Sequence, residues 1–245
     1  MNSDNHSRFS NRLAYMLFAG VLGLMPMTSH AVLLFDNGNF TTGTSYFADV
    51  DRGSTAYTQP ADDFVLGAGS EITGIEWWGE YTGANTPTEP DDFTAYIFAD
   101  SSGLPANSTP LFTINMGDTA TRSVAYDFGP NRTLYSFSAM IDPLVLAGST
   151  TFWLSIMNDT IADTDDTYIW SRSQPLLGNT MAVRGVGTID ESWATAASST
   201  GLAFKLYGNE VSVPEPPTLL LVILALAVGG AILRRNDDKT VPTLH

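Results

Sequence analysis

The chain has 245 residues, a formal net charge of −15 and no cysteine. Its three histidines are His6, His30 and His245, so the stretch from Val32 to Ser212 has none, and Lys205 is its only lysine. That composition excludes Ser-His-Asp and Cys-His nucleophilic catalysis, thiolate or imidazole metal sites and a disulfide framework in this stretch. Its acidity also argues against a nucleic-acid partner.

Residues 1–31 read as a secretory signal peptide. Arg8 and Arg12 form the positive region, Leu13 to Met27 the apolar core, and Ser29 and Ala31 the small residues before the scissile bond. Signal peptidase is therefore expected to cut between Ala31 and Val32.

From residue 32 to 212 no stretch sustains a 3.6-residue apolar period, whereas period-two segments recur. Strands are expected at Val32–Asp36, Ser45–Val50, Asp62–Leu66, Glu71–Gly79, Phe93–Ala99 and Leu111–Asn115. Further strands are expected at Leu134–Ile141, Phe152–Met157, Thr167–Arg172 and Leu202–Tyr207. Turns are expected at Asn37-Gly38, Gly67-Ala68-Gly69, Gly83 to Pro90, Ser101 to Pro105 and Ala147-Gly148. About ten short strands, each with one apolar face, predict an all-β ectodomain of two antiparallel sheets. The chosen arrangement is a jelly-roll-like β-sandwich; a closed barrel is the alternative.

Three constellations in this body have residues suited to chemistry. In Glu76-Trp77-Trp78-Gly79-Glu80-Tyr81, strand geometry puts Glu76, Trp78 and Glu80 on one face and Trp77 and Tyr81 on the other. Two carboxylates are what a glycoside hydrolase needs, but four residues of strand separate them by about 13 Å, too far for a retaining pair. The second is the acidic segment Asn158 to Asp166, where Asp163, Asp165 and Asp166 offer the oxygen ligands that calcium takes. It lacks the glycine and the closing glutamate of an EF-hand, and the plainer reading is a solvated acidic hairpin tip. Calcium is the one cofactor these residues suggest; otherwise none is expected. The third is aromatic. Trp77, Trp78, Trp153 and Trp170 suit a sandwich core, and any that reaches the surface suits stacking on sugar rings.

The C-terminal stretch is the most specific. Val213-Pro214-Glu215-Pro216 is followed by Pro217-Thr218, by an uncharged run of 15 residues from Leu219 to Leu233, and by Arg234-Arg235. As a helix that run spans roughly 22 Å. Counted from Thr218, it is a short transmembrane helix at residues 218–233, against a hydrocarbon core of about 30 Å. The arginine pair stops it on the cytoplasmic side and leaves residues 236–245 as a cytoplasmic tail. The prolines keep the preceding motif extended and accessible.

Motif, span and basic stop, in that order over residues 213–235, resemble the PEP-CTERM sorting signal of Gram-negative bacteria. The resemblance implies processing by exosortase, a membrane-embedded cysteine transpeptidase-like enzyme, after transient anchoring in the inner membrane. It implies release to the cell surface or extracellular matrix. Asp62-Asp63-Phe64 and Ile72 to Gly79 are similar to segments in other exported PEP-CTERM proteins, a similarity that implies no defined activity. The expectation is an exported, non-enzymatic protein that binds or organises exopolysaccharide or a surface partner. The alternative is a carboxylate-based polysaccharide hydrolase or lyase.

Overall fold

The structure is a computed structural model that describes residues 31–50, 57–82, 90–107, 109–129, 132–159, 167–174, 181–186, 192–196 and 201–211. These residues are all-β. In chain order the strands are β1 (Val32–Asp36), β2 (Asn39–Phe47), β3 (Tyr57–Val65), β4 (Ser70–Thr82), β5 (Phe93–Ala99), β6 (Phe112–Gly117) and β7 (Thr121–Asp127). They continue with β8 (Thr133–Leu146), β9 (Thr151–Asn158), β10 (Thr167–Gln174), β11 (Met181–Val186), β12 (Ala194–Thr195) and β13 (Phe204–Glu210).

Two antiparallel sheets result. The six-stranded sheet runs β12-β11-β3-β9-β5-β6. The seven-stranded sheet is organised around β4, which pairs along one edge with β8, itself paired to the outer strand β7. The other edge of β4 is divided. Ser70 to Trp77 pair with β13, which carries β1, and Gly79 to Thr82 pair with β10, which carries β2.

Side-chain alternation along β4 sends Ile75, Trp77 and Tyr81 inward. A bulge between Ile72 and Gly74 lets Ile72 face inward as well. The inward aromatics meet their counterparts from the other sheet. Phe93 of β5 lies edge-on to Trp77, Phe137 and Tyr168, with ring centroids 5.2, 5.0 and 5.1 Å away. Further along, Phe64 of β3 meets Phe204 of β13 at 6.2 Å. These contacts bind the two sheets face to face through one continuous core. Gly79 is required there, because a Cβ at that position would lie 2.4 Å from the ring of Tyr168.

The strands expected at Val32–Asp36 and Phe93–Ala99 form with those bounds. The one expected at Ser45–Val50 instead lies at Asn39–Phe47, where Asn39 and Phe40 pair with Gln174 and Ser173. β7, β11 and β12 were not expected. Val124 and Tyr126, the large apolar residues of β7, are exposed, so this outer strand lacks a buried apolar face.

Sugar stacking at the tryptophans needs correction. Trp77, Trp153 and Trp170 are fully buried, and only 7% of Trp78 is exposed. Trp77 and Trp170 fill the main core. Trp153 packs with Phe98 and Trp193 on the far face of the six-stranded sheet. Trp78 packs with Leu134 and Ala203 on the far face of the seven-stranded one. None presents an open ring face to a sugar.

Candidate functional site

The outward residues of β4 are Gly74, Glu76, Trp78 and Glu80. Glu76, Trp78 and Glu80 share one face, opposite Trp77 and Tyr81, as strand geometry requires. Their environments differ sharply. Glu80 is buried and held by Arg132, whose Nε donates to Oε2 at 2.5 Å and whose Nη2 donates to Oε1 at 2.7 Å. Ser45 adds a third donor at 3.2 Å. Trp78 lies beneath Lys205, whose Nζ is 5.4 Å from the ring centroid.

Glu76 is the partly open member. Its Oε2 accepts a hydrogen bond from Tyr207 Oη at 2.7 Å. The register of β13 on β4 makes this contact, setting Lys205 opposite Glu76 and Tyr207 opposite Gly74. Partial burial, reinforced by the bond to Glu76, pushes the Tyr207 hydroxyl up to about 12, so it stays a donor at neutral pH. The pair lies in a groove of about 600 Å³ that Gly74 also lines. Thr119, Thr121 and Ser138 supply hydroxyls to the lining, and Met140 supplies an apolar wall. Ala31 also lines it. A second groove, of about 590 Å³, runs between β6 and β8 and shares Thr119 and Met140 with the first.

Two further carboxyl groups lie inside and fasten the sheets together. Asp62 of β3 is fully buried, and its Oδ2 accepts from Asn37 Nδ2 and from Leu202 N, the latter at 2.5 Å. Burial pushes its carboxyl up to about 7, against the opposing pull of the Leu202 hydrogen bond. Asp91, which precedes β5, accepts from Tyr81 Oη, from Asn158 Nδ2 at 3.1 Å and from Arg122 Nη1 at 3.2 Å. Burial raises this carboxyl too, against the hydrogen bond from Tyr81 and the charge of Arg122. The Arg122 guanidinium lies 5.3 Å from the Tyr135 ring centroid and 5.7 Å from that of Tyr81. Asp62 and Asp91 thus have their acceptor oxygens committed to donors inside the fold, whereas Glu76, held by Tyr207, lines a groove.

The other expected site residues fall as follows. Val213, Pro214, Glu215, Pro216, Arg234 and Arg235 lie outside the described residues, as do Asp163, Asp165 and Asp166. Ala31 is exposed at the groove, and Val32 opens β1. Among the described residues no group of three or more His, Cys, Asp or Glu could hold a metal ion, and no helix is long and apolar enough to cross a membrane. Sequence reasoning missed Tyr207, Met140 and the hydroxyl residues. The outward parity of Tyr207 was legible, because Leu202, Phe204 and Leu206 alternate with it. Its arrival beside Glu76 depends on strand pairing, which local alternation does not encode. Compared with protein-family models and with curated proteins, the chain matches none.

Proposed function

We propose that this chain is an exported cell-surface or matrix protein whose jelly-roll-like sandwich binds exopolysaccharide in the groove of Glu76 and Tyr207. The export half of this reading rests on the signal-peptide pattern at residues 1–31 and on the PEP-CTERM-like tail. Signal peptidase and exosortase are the processing partners it calls for. The binding half rests on one observation: a carboxylate already oriented by a tyrosine hydroxyl, in a groove with three further hydroxyl side chains and an apolar wall. Such a lining offers acceptors and donors for sugar hydroxyls and an apolar surface for the ring's C–H face. The alternative, a hydrolase or lyase, would use the same Glu76–Tyr207 pair. Its second carboxylate would not be Glu80, which Arg132 holds.

The test is retention of the exported protein on a panel of immobilised polysaccharides, with and without calcium. Calcium enters through Asp163, Asp165 and Asp166, the proposed oxygen ligands. Wild type is expected to be retained. Glu76→Gln is expected to bind about tenfold more weakly, since one hydrogen bond to a charged group contributes about 1.5 kcal/mol or more. Release of reducing or unsaturated sugar ends would favour the alternative. Equal retention of wild type and Glu76→Gln, or retention on no glycan, would overturn the binding reading.

A further inference from the structure

We propose that Met140 is a sulfoxidation site through which hydroperoxides weaken ligand binding at the groove, an inference that rests on the binding reading above. The chain has no cysteine, so a thioether is its most readily oxidised type of side chain. Among the described residues the methionines differ widely in exposure. Met140 is 77% exposed, whereas Met116, Met157 and Met181 are at 4%, 3% and 0%.

Met140 is also placed where oxidation matters. It lines both grooves, the one holding Glu76 and Tyr207 and the one between β6 and β8. Its sulfur lies over Gly74, at 3.6 Å from where a Cβ on that glycine would be, and so forms part of the apolar lining. The reaction transfers the distal oxygen of a hydroperoxide to Sδ. An S–O bond forms and the O–O bond breaks. Sulfur is oxidised by two electrons, and the peroxide is reduced to the alcohol, or to water when it is hydrogen peroxide. The product is a polar, chiral sulfoxide in place of an apolar thioether, and reductases specific for each epimer can restore it. A sugar ring that packs its C–H face on the thioether loses that contact.

The experiment treats the full-length protein with hydrogen peroxide, maps sulfoxide by peptide mass spectrometry and measures retention on the polysaccharide that wild type binds. Because susceptibility follows exposure, sulfoxide is expected at Met140 more than about tenfold faster than at Met116, Met157 or Met181. Retention of wild type is expected to fall severalfold on oxidation, and that of Met140→Leu to stay unchanged. Met140→Gln, which places a polar group there permanently, is expected to bind weakly before any oxidant is added. Equal oxidation of the four methionines, a refractory Met140, or full Met140 sulfoxide with undiminished retention would each overturn the proposal. Failure of untreated wild type to be retained counts against the binding reading instead. The peptide map then still decides whether Met140 is the modified site.

Discussion

Asp62 is the residue at which burial has the clearest thermodynamic consequence. Its carboxyl titrates near 3.8 when unfolded and near 7 in the folded chain. Between those values the native state keeps a proton that the unfolded chain has released. Because the native state binds more protons, stability falls as pH rises through this window. The contribution is fully present below the unfolded value and lost above the folded one. Each unit of difference is worth about 1.4 kcal/mol, so the effect amounts to a few kcal/mol. Gly201 and Ser173 share the same tight space: a Cβ on Gly201 would lie 2.7 Å from Asp62 Oδ2 and 3.0 Å from Ser173 Oγ. Asp62→Asn is expected to flatten the decline in unfolding free energy between about pH 4 and pH 8, since an amide does not titrate there. Urea unfolding of both proteins across that range provides the measurement. The other carboxylates cancel in the difference, and parallel curves would show that Asp62 does not carry the effect.

At the scale of the element, β4 joins the fold to the site. Its inward residues build the interface between the sheets, and its outward residues provide Glu76 to the groove and Glu80 to Arg132. The Glu80 side chain is only 4% exposed and that of Arg132 is 39% exposed, so the pair is screened on one side only. Arg132→Ala would leave a buried carboxylate without its two strongest donors. The expected loss is about 2 to 3 kcal/mol, below the about 3 to 5 of fully buried pairs because the guanidinium meets solvent. Adding Glu80→Gln to Arg132→Ala should recover part of that loss, and denaturant unfolding of the double-mutant cycle measures it. A double variant as unstable as Arg132→Ala alone would mean that the buried charge is not the cause. Strand positions were legible where apolar residues recur at every second position along an inward face, as in β4, β5, β9 and β13. β7 was illegible because its large apolar side chains point to solvent, β12 because it is two residues long, and β11 because Arg184 and Gly185 interrupt its apolar run. The facing of Glu76, Trp78 and Glu80 was legible too. The partners that separate their roles, Tyr207 and Arg132, lie 131 and 52 residues further on in the chain and come from pairings that no local pattern records.

At the scale of the whole molecule, the export reading proposed for the two ends of the sequence makes the most discriminating prediction. If residues 213–235 are only an anchor, replacing Pro214-Glu215-Pro216 with three alanines should leave the protein in the inner membrane as before. If they are a sorting signal, the same change should block removal of the tail and trap full-length chains there. Glu215→Gln is the milder test, because it keeps the prolines and removes only the charge. On the same reading the prolines would act differently: they have no N–H and disfavour helix, which would keep the motif presented at the membrane surface. On the sorting reading Arg234 and Arg235 would have a third role, since basic residues on the cytoplasmic side hold the orientation of a short span. Replacing both should let the span slip without altering the recognised motif, so processing should become heterogeneous rather than stop. Mass spectrometry of surface-released protein reads all these outcomes at once. A start at Val32 with an end between Val213 and Pro217 is the expected product of signal peptidase and exosortase. Intact His245 on protein recovered from the surface would mean that the tail is not a sorting signal.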